Sequence, residues 1–271
     1  REGLAEVGVR LPLLAASYGL YVVVCAAAAV LVSSWHRRTS SALLSLLALW
    51  MGLWVVVPRA ATQVAGWLHP APSRATFERT LEAALRSAGD SHQPTSPAFI
   101  ELKERLLREH GVERVEELPF NFGGVVMREG EAATSQVMNE HHERLYAAFH
   151  AQDRLALLLS ALNPMLALRS WSMALAGTDS HHAASFQRQA EAHRYGFIQR
   201  LNALHTHEIR WQNDRAQRLD ARRWKEFPPF HYERPALGWA LGNVTLAGAA
   251  LVGWAAVLLG MLLVGRRGGL A

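Results

Sequence analysis

Hydrophobic positions in this chain are gathered at its two ends, with the polar positions between them. From about Leu11 to Trp35, from Ser41 to Val57 and from Ala236 to Val264 the residues are overwhelmingly apolar, and none of these stretches holds an Asp or Glu. The apolar core of a bilayer, roughly 30 Å thick, takes about 20 residues of helix. Each stretch therefore predicts a transmembrane helix, the second continuing amphipathically through Trp67. Buried helices of a large soluble core fit acid-free runs of this length poorly.

The middle of the chain reads as helices almost throughout. Ser73 opens a helix that ends near Gly89, and Ser96-Pro97 supplies an N-cap with proline at the first helical position. Gly111 terminates that second helix, and Leu118-Pro-Phe-Asn-Phe-Gly-Gly124 carries too many turn formers to be anything but a loop. From about Glu131 a long helix runs to Asn163, where Pro164 forces a break. A shorter helix closes at Gly177, and Asp179 or Ser180 caps another long one reaching about Ile209. The two long helices are expected to pair as an antiparallel hairpin. Phe186, Ala190, His193, Phe197, Leu201 and Leu204 make an apolar stripe on one, and Met138, Leu145 and Phe149 answer on the other. Glu140 and Arg144 belong on the wet face. The apolar stretch Leu155 to Leu168 reads first as core of this domain and second as a re-entrant segment dipping into the membrane.

Charge sets the orientation. Arg37 and Arg38 lie in the short loop between the first two spans, and Arg266 and Arg267 follow the third. Both pairs are expected on the cytoplasmic side, with the long middle segment on the other. The fold class is thus an all-α membrane protein: three transmembrane helices and a large helical extracytoplasmic domain with a long antiparallel hairpin. Its expected parts are an external N-terminal segment (1–10), a transmembrane helix (11–35), a cytoplasmic loop (36–40), a transmembrane helix with its extension (41–69), the helical domain (70–235), a third transmembrane helix (236–264) and a cytoplasmic tail (265–271). The chain opens on Arg1 without a charged-then-apolar leader, so a piece of a longer polypeptide with earlier spans is expected.

Composition narrows the chemistry. Across 271 residues the formal charge is +5, yet the arginines are dispersed along helices and at span ends, which argues against nucleic acid as a partner. Neither lysine, Lys103 or Lys225, stands in a phosphate-binding loop, so the chain is not its own ATPase of that type. No nucleophile elbow and no His-Glu-x-x-His occurs. A single cysteine, Cys25, removes disulfides and cysteine-based zinc sites. Of thirteen histidines, His205 and His207 point about 200° apart on a helix, while His141-His142 and His181-His182 are adjacent pairs about 100° apart. His150 and Asp153 have workable spacing, but no metal site, cofactor or catalytic residue is assigned.

In the third span Gly238 and Gly242, then Ala249 and Gly253, repeat the small-x-x-x-small pattern through which membrane helices approach closely. Asn243 and Thr245 read first as hydrogen-bond partners for a neighbouring helix and second as lining a path. The aromatic segment before it, with Trp224, Phe230 and Tyr232, reads either as an extended return at the headgroup level or as an aromatic-rich linker.

The order of parts resembles the C-terminal half of ABC-2-type transporter permeases, in particular bacterial permeases with an uncharacterised domain between membrane helices. Tyr18-Gly-Leu-Tyr21, Val57-Pro-Arg59, Pro70-Ala-Pro-Ser73, Leu118 to Gly124, Leu162-Asn-Pro-Met165, Ala176-Gly-Thr-Asp179 and Phe227 to Tyr232 carry the resemblance. It implies a non-catalytic permease subunit in the bacterial inner membrane. Its partners would be a cytoplasmic ATP-binding subunit, a second permease half or a second copy, membrane lipid and an envelope protein. The alternative is a membrane-anchored structural or sensory protein whose external helices bind an envelope partner.

Overall fold

The computed structural model describes residues 2–88 and 97–267. Ten helices occur among them, without a strand: α1 Glu2–Ser34, α2 Thr39–Met51, α3 Val57–Leu68, α4 Arg74–Ala88, α5 Pro97–His110, α6 Phe122–Leu159, α7 Pro164–Ala176, α8 Ser180–Glu208, α9 Leu237–Gly242 and α10 Thr245–Arg267. A π-helical turn, Gly52–Val56, joins α2 to α3. The helix end expected at Gly89 and the N-cap expected at Ser96 lie outside the described residues. The helices sort into two compact units, residues 1–71 with 146–185 and 234–271, and residues 72–145 with 186–233. The long helices α6 and α8 each contribute to both.

The first unit holds three helical stretches long and apolar enough to cross a membrane: Glu6–Ser34, Thr39–Leu68 and Thr245–Gly265. The chain is an all-α membrane protein. On the second stretch only 6% of the most apolar window is buried, and Leu43 and Leu44 are about two-thirds exposed, as suits a surface that faces lipid or another membrane helix. The unit's core forms where α7 packs against α1 and α10, through Tyr21, Ala167, Leu168, Ala174, Val244, Ala247 and Leu251. The end of α7 is set locally, by Gly177 in the left-handed conformation (φ 75°), followed by Asp179 accepting from the His182 backbone N–H at 2.8 Å.

Two features of this unit depart from the sequence reading. Residues 2–10 are part of α1 itself, and Arg10 is buried. Its guanidinium donates to the Leu175 carbonyl at 3.1 Å, to the Pro235 carbonyl at 3.1 Å and to Glu6 at 3.2 Å, pinning the start of the first span to the end of α7 and to the chain entering α9. The helix expected over 236–264 is divided: α9 stops at Gly242, and the Val244 N–H turns back to Leu241 at 3.0 Å before α10 begins at Thr245. Gly and Asn are weak helix formers, and they sit together at the break.

The second unit is built on α4, α5, the first part of α6 and the later part of α8. Phe99, Leu102, Leu118, Phe122, Val125 and Val126 form its core, with Trp211 packed on the edge. The loop expected through Gly124 ends earlier. Asn121 caps α6 by accepting from the Gly123 N–H at 2.8 Å, while its own N–H donates to the Thr206 carbonyl at 2.8 Å and its side-chain amide to Asp214 at 2.7 Å. Gly124 then lies against α8 so closely that a Cβ would sit 2.5 Å from the Thr206 backbone nitrogen. The glycines read as turn formers are the means by which two helices touch.

In this unit α6 and α8 run antiparallel, and their seam is polar. Arg194 bridges Glu131 (2.6 Å) and Glu191 (2.7 Å) over the buried Ser135 hydroxyl, and Arg188 grips Glu143 with two bonds. Arg194 holds the Glu191 carboxyl below its ordinary range, and His205 does the same for Asp214. The aromatic part of the α8 stripe faces elsewhere: Phe186 packs on Phe230 and Tyr232, His193 on Phe230, and Phe197 on Phe227. Those partners belong to the extended return segment. Glu140 and Arg144 pair on the exposed face at 3.6 Å, as the spacing predicts.

Gly124→Ala is expected to destabilise the protein by about 1–3 kcal/mol through overpacking at Thr206. Gly196→Ala, where nothing lies within 4 Å of the new methyl, should instead stabilise α8 by about 0.5–1 kcal/mol. Thermal or denaturant unfolding of the two variants in detergent checks the opposite signs.

Candidate membrane-embedded site

The chemistry of the span-bearing unit begins with a proline. A helical carbonyl is normally satisfied by the N–H four residues on. In the π turn the Val57 N–H reaches back five residues to the Gly52 carbonyl, so it is lost to Leu53. The next donor along the chain would be residue 58, which is Pro58 and has no N–H. The Leu53 carbonyl is therefore orphaned twice over within a span, where no water is available to satisfy it.

Its partner comes from the turn between α6 and α7. The Asn163 side-chain amide, fully buried, donates to the Leu53 carbonyl at 2.8 Å. The same side chain accepts from the Met165 and Leu166 N–H groups at 2.8 and 3.3 Å, so Asn163 is also the N-cap of α7, with Pro164 at the first helical position. The rest of the turn is satisfied likewise. Trp254 of α10 donates its indole N–H to the Ala161 carbonyl at 3.1 Å, and the buried Ser160 hydroxyl bonds to the Leu157 carbonyl at 2.5 Å. The segment 155–168, read first as core of the helical domain, is thus packed among the spans. The reason is chemical: its turn carries one amide that the π turn needs and one carbonyl that α10 can satisfy.

Near the α9–α10 break a small cleft of about 90 Å³ is lined by Asp153, Ser170, Asp179, Ser180, His181 and Asn243, among others. Ser180 donates to Asp153, His150 and His181 stack face to face at 4.0 Å, and His182 bonds Asp179 through Nδ1 at 2.9 Å beneath the edge of Trp239. The cleft is large enough for ordered water. The Asn243 amide, expected to bond a neighbouring helix, is buried without a partner among the described residues. No group of three His, Cys, Asp or Glu stands ready for a metal among those residues either. His150 and Asp153 do meet, around Ser180, but as a hydrogen-bonded junction of α6 with α8.

The residues singled out in the sequence fall as follows. Arg37 and Arg38 are exposed between α1 and α2, Arg38 at the N-cap position, while His36 closes that link by bonding Val32 and Ser45. Arg266 and Arg267 end α10. Gly238, Gly242 and Gly253 have no atom within 4 Å of a would-be Cβ, and Ala249 is exposed. The seam within this chain runs one face over, through Ala240, Val244, Ala247, Leu251 and Ala255. Its close approach is at Gly248, whose missing side chain admits the Trp171 ring of α7 at 2.4 Å from the would-be Cβ. Phe230 and Tyr232 pack on α8, and Trp224 stays 61% exposed beside Phe227.

Asn163 has two roles, and two substitutions separate them. Asn163→Ser keeps an N-cap oxygen but is too short to reach the Leu53 carbonyl, whereas Asn163→Ala loses both. Ser should cost about 1–3 kcal/mol for the carbonyl left unsatisfied, and Ala about 1 kcal/mol more for the cap. Unfolding of detergent-solubilised protein reads both. Equal stability of Asn163→Ser and the parent would show that the Leu53 bond contributes nothing.

The family described as a domain of unknown function (DUF3526) matches residues 74–233, more than half of the chain. The match begins at the first residue of α4 and stops just before the chain enters α9, so it takes in Asn163 and the Asp153–Ser180 junction and leaves out the spans. No curated protein and no solved structure is significantly similar to the chain. On that match, this chain belongs to the DUF3526 family.

Proposed function

We propose that the chain is a membrane-spanning permease subunit of an ATP-driven exporter of the ABC-2 type, non-catalytic itself and driven by a separate cytoplasmic ATP-binding subunit. The resemblance in order of parts supports this reading, and one observation carries it. The Asn163 turn, which lies within the family-matched segment, is bonded to a π turn in one span and to a tryptophan in another. Motion of the spans therefore pulls directly on the inserted segment, as an exchange of packed helices between two states requires. The π turn supplies a local element able to change register. The second subunit, a second permease half or a second copy of the chain, completes the pathway in this reading. The bacterial inner membrane is its place, with the Arg37-Arg38 and Arg266-Arg267 pairs cytoplasmic and the domain within 70–235 on the other side.

Two experiments test this reading. With Cys25 replaced by serine, Glu104→Cys should react with a membrane-impermeant maleimide in intact cells and Arg38→Cys should not. Labelling of both, or the reverse, removes the orientation. The protein should also co-purify with an ATP-binding subunit and raise its ATPase rate in proteoliposomes. A stable complex with an envelope protein and no ATPase would favour a structural or sensory anchor instead.

A further inference from the structure

The small cleft at the α9–α10 break brings together three polar groups that lack a counterpart. The Asn243 amide nitrogen is buried and unpaired among the described residues. On the same wall stand Asp153 and Arg154, consecutive on α6. Among the described residues Arg154 enters no ion pair or hydrogen bond, and Asp153 receives the Ser180 hydroxyl but no cation. A buried donor without an acceptor calls for an explanation, and a bound group supplies one. The geometry points to a binding site for a phosphoethanolamine group, its phosphate on Arg154 and Asn243 and its ammonium on Asp153.

Two considerations select that ligand. The first is charge. A lone phosphate would set its negative charge against Asp153 and Asp179, which both line the cleft. A lone amine would leave the Asn243 N–H without an acceptor. A group with both charges answers all three: guanidinium and amide donate to phosphate oxygens, and an ammonium offers three N–H donors to a carboxylate. The second is depth, because the ends of all three membrane-crossing stretches meet here. Asn243 lies just ahead of the stretch Thr245–Gly265. Gln152, next to Asp153, donates at 2.7 Å to the carbonyl of His69, which follows the stretch Thr39–Leu68. Arg10, near the start of Glu6–Ser34, donates to the Pro235 carbonyl at the entrance to α9. Trp239 of α9 packs on His182 yet stays 43% exposed, as indoles do at a membrane–water boundary. At that level a bilayer presents its headgroups, so phosphatidylethanolamine is the form of the ligand at hand.

The site requires only that these helices cross a bilayer, so it stands or falls apart from any ATPase. The whole protein is extracted from vesicles holding phosphatidylethanolamine, phosphatidylcholine and phosphatidylglycerol in equal parts, and the retained lipid is identified by native mass spectrometry. Phosphatidylcholine carries the same phosphate, but its methylated ammonium has no N–H to give Asp153. Phosphatidylethanolamine should exceed it by about tenfold, corresponding to about 1.4 kcal/mol of preference. Asp153→Asn should bring the two level, and Arg154→Gln should lower the retention of both. Free O-phosphoethanolamine, titrated into delipidated protein in detergent, separates the sources. Binding of the free compound as tight as that of the lipid assigns the site to a soluble solute, and retention of the lipid alone assigns it to a headgroup. Equal retention of the three lipids with no binding of the free compound leaves the cleft to water and overturns the site. So does a phosphatidylethanolamine excess that persists undiminished in Asp153→Asn. The comparison on the unsubstituted protein decides the matter even if a variant does not fold.

Discussion

A carbonyl without a donor, in a place where water cannot supply one, governs the span-bearing unit. Pro58 removes an N–H from the second span, the π turn diverts another, and Leu53 is left with neither. An unsatisfied group in hydrocarbon costs several kcal/mol, so some other part of the chain has to come to it. That part is Asn163, and its arrival fixes much else: the break between α6 and α7, the start of α7, and the depth at which α7 lies against α1 and α10. Arg10 holds the other end of α7 through the Leu175 carbonyl. One short helix is thus secured at both ends by polar bonds to backbone carbonyls, with small residues and one tryptophan packed between.

The second unit solves a different problem with the same two long helices. There α6 and α8 meet through charge, with Arg194, Glu131, Glu191 and Ser135 in one bonded group. Such a seam fixes register more than it adds stability, since ions brought out of water recover only part of their hydration. The apolar contribution comes from the sides, from the cluster around Phe99 and Phe122 and from the aromatic return segment laid on α8. Helices that present charge to each other and aromatic rings outward need that third segment to cover the rings.

What the sequence disclosed, and what it hid, follows from the range of each interaction. Pro164, Gly177 and Asp179 mark helix ends through their own backbone or a neighbour within three residues, so their meaning was local and readable. Long acid-free runs announce spans for the same reason. Gly123 and Gly124 looked like a turn because glycine disfavours helix, and only Thr206, remote in sequence, shows why the helix accepts them. Small residues at spacing four in the closing span named a motif but not a face. Trp171 selects Gly248 rather than Gly238, Gly242 or Gly253, and nothing near any of these glycines says so. For the Asn163 site, Pro58 was a visible sign that a carbonyl nearby would want a partner. The identity of that partner, 110 residues away in sequence, was not visible.

The seating of Trp171 over Gly248 also constrains how the protein is made. Asn163 and Leu53 are both on the ribosome's product before α10 exists, and their bond can form as soon as the segment between them is complete. The groove for Trp171 cannot, because its floor is translated about 77 residues after the tryptophan itself. During that interval α7 has its N-terminus anchored and its apolar flank bare. Nascent chains arrested in this window should therefore be the form that insertion factors and membrane chaperones grip longest.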